Sequence, residues 1–420
     1  MPSVFSFASP ALHCLPAAMG TTLALHSPLA PTSHHFSSSF SLRNGRRLLR
    51  NVSIQSYIWT SKLQAQPGLL SDGFSLKERA TSSGVAVKCA QEKAAATVSR
   101  PAFTQEEFEA FLVNLQSSIC DEAATADGSG KMFGFDKWQR GADPSNGYGI
   151  TRVLEGGDLL EKAAANVSIV RGSLSEARAK AMSARGRGVE AGASYFAGAL
   201  SLVFHPRNPY VPTFRSDIRY FVVEGSQGWF GGGADLTPCY LFEEDARSFH
   251  AFYKSICDKY SPSLYEESKA ACDAYFYIPA RKEHRGTGGI FFDDLETFQK
   301  DSDQTANGGA SEEPDTDAVF AFVRDVAQGF MPSYLPLANR RRTIAHGEAE
   351  RQWQLLRRGR YLEFNLLYDR GVKFGLDGGR IESIMVSAPP LVAWKYDVAP
   401  EPGSREAELV KILQNPRSWT

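Results

Sequence analysis

Arginine, aspartate and glycine recur close together in the C-terminal part of this 420-residue chain. Arginine presents a planar fork that binds a carboxylate through two hydrogen bonds, and it stays charged at every relevant pH. Taken singly, such residues are usually solvated arginines and ordinary turns, but together they predict a site for a ligand with several carboxylates. The segments are Arg219, Gly231-Gly-Gly233-Ala-Asp235, Arg285-Gly-Thr-Gly-Gly289, Arg357-Arg-Gly-Arg360, Asp369-Arg370 and Gly378-Gly-Arg380.

Motifs for several other chemistries are missing from the sequence. It contains no GxxxxGK(S/T) phosphate loop, no GxGxxG dinucleotide fingerprint, no HExxH zinc motif and no GxSxG nucleophile elbow. The cysteines beyond residue 89 form no CxxC pair, so their spacing predicts neither a zinc site nor an iron–sulfur cluster. These cysteines are Cys120, Cys239, Cys257 and Cys272, and we expect buried free thiols.

The first 89 residues differ in composition from the rest of the chain. No acidic residue precedes Asp72, serine is abundant, and arginines cluster between Arg43 and Arg50. This composition is typical of an organelle transit peptide, largely disordered and cleaved near Cys89. We favour chloroplast import, with the mitochondrion as the second choice. A secretory signal is disfavoured because Leu12–Leu29 is interrupted by His, Pro and Thr, and a disordered tail without an address remains an alternative.

The remaining chain is acidic. Residues 1–89 carry a net charge of +6 and the whole chain −1, so residues 90–420 carry −7. An acidic body argues against nonspecific binding to nucleic acid, and any anionic ligand must be held by locally placed arginines. No window approaches the ~18 consecutive apolar residues that a membrane-spanning helix needs, so we expect no integral membrane segment.

Residues 90–420 are predicted to form one α+β domain. A capping box at Thr104–Glu107 begins the first helix, and a glycine-rich stretch, Gly128–Gly149, follows it. Residues 300–317 are acidic and rich in Gly and Ser, so we predict a solvated loop insertion. The predicted strands are Tyr195–Phe204, Ile218–Val223, one entered at Trp229, and Gly288–Phe292. The later predicted helices are Glu243–Tyr260, Leu264–Tyr275, Asp317–Arg340, Ala345–Arg358 and Arg405–Leu413, with Pro332 and Pro336 expected to break or kink the third.

Three further short strands are predicted near the C-terminus. They are Tyr361–Tyr368, Val372–Leu376 and Arg380–Ser387, separated by the turn residues Asp369-Arg-Gly371 and Asp377-Gly-Gly379. Short strands joined by tight turns favour an antiparallel meander. The fold class predicted from these patterns is α+β, with a large antiparallel sheet covered by helices.

Long segments of the chain resemble the oxygen-dependent coproporphyrinogen oxidase family. They are FHPRNPYVPT (204–213), WFGGGADLTPCY (229–240), RGTGGIFFDDL (285–295), QLLRRGRYLEFNLLYDRG (354–371) and ESIMVSAPPLVAWKY (382–396). The likeness covers residues 104–420, and several independent blocks occur in the family's order. The oxygen-independent enzyme would need a CxxxCxxC cluster motif, which this sequence lacks.

The resemblance implies a reaction and a site. The family converts two propionates of coproporphyrinogen III to vinyl groups with O₂, in haem and chlorophyll biosynthesis. The products are protoporphyrinogen IX, CO₂ and H₂O₂, and no organic cofactor is needed. It also implies a homodimer whose interface includes Tyr361–Ser387, and a large antiparallel sheet with helices on both faces. By similarity, Asp369, Asp235 and Arg219 are catalytic, and the substrate-binding residues are Ser201, Asp217, Arg219, Arg370, Gly378, Gly379 and Arg380.

The sequence departs from the family pattern at two histidines. Of four family histidines, His205 and His250 are matched, whereas Arg215 and Ala280 occupy the other two positions. Arginine cannot exchange its proton near neutral pH, so Arg215 cannot replace a histidine acid. Two histidines alone make a poor metal site, and we expect no tightly bound metal. An active oxidase is our first interpretation. A catalytically weak relative that binds tetrapyrroles, and a protein that only keeps the fold, are the alternatives.

Overall fold

A computed structural model gives the fold, and it describes residues 103–184, 186–298, 315–376 and 379–420. The predicted transit peptide, nearly all of the predicted acidic insertion, and Gly378 lie outside the described residues. Within them, Asp315 caps the helix that follows the insertion by accepting a hydrogen bond from the Ala318 amide at 2.9 Å.

Seven strands form one sheet in the order β1-β2-β3-β4-β5-β6-β9, and each pairs antiparallel with its neighbours. The predicted large antiparallel sheet of an α+β protein is therefore confirmed. A short hairpin, β7–β8, stands apart from this sheet. The strands are β1 Gly134–Gln139, β2 Gly147–Glu155, β3 Leu160–Ser173, β4 Ser194–Pro206, β5 Thr213–Val223, β6 Trp229–Thr237, β7 Tyr277–Ile278, β8 Glu283–His284 and β9 Gly288–Leu295.

Helices precede, interrupt and follow the sheet. The first begins where predicted, because the Thr104 hydroxyl accepts a hydrogen bond from the Glu107 amide at 3.0 Å. The helices are α1 Gln105–Asp127, α2 Glu176–Ser183, α3 Glu243–Cys257, α4 Leu264–Tyr275, α5 Thr316–Gln328, α6 Phe330–Arg341, α7 Glu348–Leu367, α8 Arg370–Leu376, α9 Ile381–Met385 and α10 Arg405–Gln414.

The sheet has two chemically different faces because side chains alternate along each strand. On β4 and β5, Leu200 and Ile218 are fully buried in the main hydrophobic core against α1, α3, α5 and α6. We call this side the core face. Ser201 and Arg219 point to the opposite side, which we call the open face, and both are half-buried. Helices α7 and α9 cover part of the open face, where Tyr361 and Val386 pack on Val203.

The predicted C-terminal meander was wrong. Its first segment is the second half of α7, in which Arg357, Arg358, Tyr361, Phe364 and Asn365 are buried at helical spacing. The segment Phe364-Asn-Leu-Leu367 suggested a strand, but Leu366 and Leu367 are exposed on the far side of the helix. Its other two segments form the short helices α8 and α9. Helical burial every three to four residues therefore decided the structure here, over local composition.

The N-terminal part of the sheet was missed. Strands β1, β2 and β3 were not predicted, because glycines in Gly128–Gly149 indicated a loop and the alanines of β3 carry little strand preference. The predicted helix at 317–340 is two helices, and the break falls at Gly329 rather than at a proline. Pro332 lies in the first turn of α6, where a missing N–H costs nothing. In the described residues, no helix combines the length and apolarity needed to cross a membrane.

Candidate active site

A line of polar residues crosses the open face of the sheet. The strand register places Asp136, Thr151, Asn166, Ser201 and Asp217 side by side on β1 to β5. The parallel line next to it is made of small residues and one arginine. Its members from β2 to β6 are Gly149, Ser168, Ala199, Arg219 and Gly231. Because adjacent strands lie about 4.8 Å apart, these lines form a continuous floor several strands wide.

Walls stand along both sides of this floor. On one side, α9 is fixed by the Asn166 amide, which donates to the Ser383 carbonyl at 3.1 Å. On the other side, the rings of Tyr195, Phe221 and Trp229 stack in succession, with centroids 5.4 and 4.8 Å apart. We call the space between these walls the trough. It is the part of the sheet that a flat ligand could cover.

Arg219 projects from β5 into the trough. It forms ion pairs with Asp217 and with Asp293, the latter at 3.1 Å, and its guanidinium lies 5.4 Å from the Phe291 ring centroid. Burial alone would lower the pKa of Arg219, but the charges of Asp293 and Asp217 outweigh burial and raise this pKa above its usual value. A Cβ on Gly231 would lie 2.6 Å from the Arg219 Nε. Glycine at position 231 therefore lets this arginine lie flat across β6.

Asp235 is tied to a buried arginine. Nη2 of Arg285 donates to both carboxylate oxygens of Asp235 at 2.8 Å, and the two side chains are 0% and 5% exposed. The Arg285 guanidinium also lies 4.0 Å from the ring centroid of Phe276 and 4.9 Å from that of Tyr361. Burial raises the pKa of Asp235, whereas Arg285 opposes that change. The two short contacts favour the charged forms of both side chains, and Arg285 occupies one acceptor position on each Asp235 oxygen.

Asp369 lies where α7 meets α8, against the open face. Its Oδ1 accepts a hydrogen bond from the Val372 amide at 2.9 Å, and the residue is buried. The phenol oxygen of Tyr275 accepts a hydrogen bond from the Arg370 amide at 3.3 Å. Burial, and next to it the charge of Asp369, raises the pKa of Tyr275 to about 12. Tyr275 therefore stays protonated near neutral pH and can donate a hydrogen bond.

Arg215 stands beside Asp235 on the open face, two residues before Asp217 on β5. Its Nη1 donates to the carbonyls of Leu202 at 3.1 Å and Ser216 at 3.3 Å. Burial would lower its pKa, but Tyr361, Asp217 and Asp369 raise it. A permanent positive charge is therefore fixed among the acids of the site.

Most residues expected from the sequence come together on the open face. Ser201, Asp217, Arg219 and Asp235 lie on adjacent strands, and Asp369-Arg370 approach from α7 and α8. The α8–α9 segment lies farther away. Arg380 pairs with Asp136 on β1 at 2.7 Å. Gly379 packs against the carbonyl of Gly375, where a Cβ would lie 2.2 Å from that oxygen.

Two site residues, Tyr275 and Asp293, were not named as candidates from the sequence. Arg285 was named as one of the clustered arginines, but not as the partner of Asp235. Two segments here were noted in the sequence, Arg285-Gly-Thr-Gly-Gly289 and Phe291-Phe-Asp-Asp-Leu295. The partner of Asp235 could have been sought in the first of them. No local pattern marks Tyr275, whose ring stacks on Phe291 with centroids 4.5 Å apart.

The two family histidines are buried and bonded to the main chain. Nε2 of His205 donates to the Ser387 carbonyl at 2.9 Å. Nε2 of His250 donates to the Thr287 carbonyl at 3.1 Å, and its Nδ1 accepts from the Tyr265 hydroxyl at 2.9 Å. Burial lowers the pKa of both to about 3, and nearby cations contribute. Among the described residues, no three His, Cys, Asp or Glu side chains cluster as metal ligands would.

These neutral imidazoles predict a loss of stability in acid. The unfolded pKa of histidine is about 6.5. Each folded pKa is lower, so the contribution is complete above pH 6.5 and is lost as the pH falls toward 3. At pH 5, we expect each histidine to have cost about 2 kcal/mol of unfolding free energy. In urea titrations at pH 7.5 and 5.0, His250→Gln should reduce the pH-dependent loss by about this amount.

Exposed His346 provides the matched control for this experiment. The variant His346→Gln should keep the full pH dependence of the wild type. If His250→Gln lost as much stability between the two pH values as the wild type does, buried neutral histidine would not be the cause.

Comparison with known proteins places this geometry in a family. Residues 107–419 match the family model described as coproporphyrinogen III oxidase. The chain belongs to the coproporphyrinogen III oxidase family. The match spans the whole described sheet and all ten described helices except the first turn of α1. The trough, with its arginines and acids, is therefore the candidate active site of a coproporphyrinogen III oxidase.

Characterised relatives support the same assignment. The oxygen-dependent coproporphyrinogen-III oxidase of Drosophila melanogaster is 46% identical over 319 residues, covering 74% of this chain and 77% of the relative. The mitochondrial enzyme of Homo sapiens is 43% identical over 329 residues, covering 76% of this chain and 68% of the relative. The mitochondrial enzyme of Rattus norvegicus is 41% identical, covering 76% and 70%.

Proposed function

We propose that this protein is an oxygen-dependent coproporphyrinogen III oxidase of haem biosynthesis. Each of two propionates loses CO₂ and one hydrogen from the carbon next to the ring, and becomes a vinyl group. O₂ takes up the two electrons and two protons and leaves as H₂O₂. The product is protoporphyrinogen IX. The observation that carries the proposal is the floor of small residues with Arg219 and its partners Asp217 and Asp293 at one end. It occurs in a chain that is 46% identical to the oxygen-dependent coproporphyrinogen-III oxidase of Drosophila melanogaster.

Asp369 is the proposed acceptor of the pyrrole N–H. Removing that proton makes the ring electron-rich enough to react with O₂, and the resulting peroxide takes the propionate hydrogen as CO₂ leaves. Asp235 suits this role less well, since both its oxygens already accept from Arg285. We assign Asp235 to holding Arg285 in place. Arg219 and Arg370 supply positive charge for propionates, and electrostatic positioning is the main contribution of the protein.

No organic cofactor is required by this proposal, and we propose no tightly bound metal. O₂ is the oxidant. His250 uses both ring nitrogens, on the Thr287 carbonyl and the Tyr265 hydroxyl, and His205 uses its Nε2 on the Ser387 carbonyl. Ser201, Asp217 and Gly378-Gly-Arg380 complete the proposed substrate-binding residues, although Gly378 lies outside the described residues. Arg380 would have to reach its carboxylate from the β1 end of the trough.

A second copy of the chain is the proposed partner. The region Tyr361–Ser387 exposes apolar side chains that a dimer would bury, among them Leu367 at 55% and Ile381 at 51%. Clustered exposed apolar side chains are typical of interaction surfaces. Sedimentation of the full-length chain would test this proposal. Import of a fluorescent protein fused to residues 1–89 would test the proposed chloroplast location, against the mitochondrion named for the human and rat relatives.

Aerobic turnover of coproporphyrinogen III tests the function directly. The full-length chain should form protoporphyrinogen IX and release two CO₂ for each substrate, and neither product should form without O₂. The alternative is a catalytically weak relative that binds tetrapyrroles. Arg215 supports it, because an arginine cannot deliver a proton near neutral pH. Porphyrin binding without vinyl product would establish that alternative. If the chain neither bound porphyrin nor formed product, the remaining interpretation would be a protein that only keeps the fold of the family.

A further inference from the structure

Arg140 is a cation built into the floor of the trough. It follows β1 directly, and its side chain crosses over β2 to reach β3. Nη2 donates to the Ser168 hydroxyl at 2.6 Å, and Nε donates to the Ile169 carbonyl at 3.2 Å. The guanidinium lies 5.0 Å from the ring centroid of Trp138. These contacts fix the position and the plane of the guanidinium group.

Trp138 provides the support on which Arg140 rests. A Cβ on Gly149 would lie 2.2 Å from the Trp138 ring, so the absence of a side chain there lets the indole lie flat against β2. Trp138 also donates to the Thr151 hydroxyl at 3.4 Å. The ring and the arginine are therefore part of a formed surface, and they are half-buried.

Arg140 differs in charge balance from Arg219 and Arg380, which also border the trough. Arg219 and Arg380 each pair with an acid, whereas the partners of Arg140 within the described residues are a hydroxyl and a carbonyl. Burial lowers the pKa of Arg140, opposed only by Tyr195, whereas acids raise the pKa of Arg219. A partly buried cation without a counter-ion is costly, so this position favours an anion supplied by a ligand.

The distance to Arg219 fits a broad, flat ligand. Ser168, Ala199 and Arg219 are consecutive partners across β3, β4 and β5. Two strand spacings separate Ser168 from Arg219, which is roughly 10 Å. Between them lies the small side chain of Ala199, and Ala197 occupies the same strand in the next row of the floor; both are half-buried. A ligand plane can therefore rest on alanine while carboxylates at opposite edges reach Arg140 and Arg219.

We propose that Arg140 binds a peripheral carboxylate of the substrate, away from the one held by Arg219. The identity of that substrate rests on the proposed function. Arg140 acts in recognition and takes no part in the chemistry at the reacting carbon. It selects macrocycles that carry carboxylates on both sides of the ring.

Steady-state kinetics of Arg140→Gln in the full-length chain test this role. A charged hydrogen bond lost to the substrate should raise KM for coproporphyrinogen III about 10-fold or more, with kcat within about 3-fold of the wild type. Arg140→Lys keeps the charge without the planar fork, so its KM should lie between that of the wild type and that of Arg140→Gln. Arg171→Gln is the control, since Arg171 pairs with Glu109 beyond the trough. That variant should keep the wild-type KM.

Binding of porphyrins separates a carboxylate contact from a structural effect. Affinities for coproporphyrin III and for its tetramethyl ester, which has no carboxylates, can be measured by tryptophan quenching. Arg140→Gln should weaken binding of the acid about 10-fold or more and leave ester binding within about 2-fold. Equal losses for both ligands, or no loss for the acid, would overturn the proposal.

Failure of the inference about Arg140 can be distinguished from failure of the proposed reaction. If the wild type fails to turn over coproporphyrinogen III, the proposed reaction is lost. Binding of coproporphyrin III that still depends on Arg140 would then support the carboxylate site by itself. If the wild type turns over its substrate and Arg140→Gln keeps the same KM, the reaction stands and the inference about Arg140 is overturned.

Discussion

Replacing Arg285 with methionine is expected to lower the free energy of unfolding by about 3–5 kcal/mol, because it leaves Asp235 buried without its counter-charge. Both carboxylate oxygens of Asp235 accept from Arg285 at 2.8 Å, and neither side chain has appreciable contact with solvent. Urea titration of the full-length chain measures the effect. A loss this large exceeds that of most single substitutions.

The double variant Asp235→Asn, Arg285→Met tests whether the unpaired charge of Asp235 causes the loss of stability. Both charges are then gone, and methionine can pack against Phe276 and Tyr361, so much of the lost stability should return. The exposed pair of Arg247 and Glu243 is the control, and Arg247→Met should change stability by under about 1 kcal/mol. A double variant at least as unstable as Arg285→Met alone would show that the buried charge is not the cause.

Exchange of Asp369 for asparagine should reduce kcat by about 10²–10⁴-fold, the range for loss of an acid–base group. Asparagine keeps the side-chain oxygen that accepts from the Val372 amide, so the start of α8 should be preserved. KM should change little, since the substrate carboxylates are held by arginines. The rate of vinyl product formation measures kcat. Circular dichroism checks that the variant is folded.

Asp217 is the most informative comparison for Asp369. It also faces the trough, and its side chain is 24% exposed, but Arg219 retains Asp293 when Asp217 is neutralised. We therefore expect Asp217→Asn to cost less activity than Asp369→Asn. The reverse order would transfer the proton-accepting role to Asp217. Asp258→Asn, at an exposed pair with Lys254, should leave turnover unchanged.

The sequence allowed the central strands and their charged residues to be predicted for a physical reason. Along β5, apolar and polar residues alternate, so Arg219 had to leave the core on the side opposite Ile218. The sequence marked the glycines before Asp235 as part of the candidate site, and the structure shows that Gly231 makes room for Arg219. Local patterns of this kind depend on one strand and its immediate neighbour.

Features that depend on distant partners were not predictable in the same way. Arg140 directly follows β1 and reaches Ser168 on β3, and the glycines and alanines concealed both of these strands. Tyr275 enters the site because α4 lies beside β9, which no residue near Tyr275 indicates. In α7, the segment Phe364-Asn-Leu-Leu367 resembles a strand, and only the packing of Tyr361 and Phe364 on one side of a helix shows that it is helical.

Locating a bound macrocycle tests the central claim most directly. A crystal structure of the full-length chain with coproporphyrin III would show which surface the ring covers. The ring should lie flat over Ala199 and Gly231, between Trp138 and Phe291, with carboxylates at Arg219 and Arg140. A ring bound elsewhere, for example in the cleft lined by Arg187 and Glu296 outside Trp229, with the floor of the trough uncovered, would contradict the assignment of the open face as the active site.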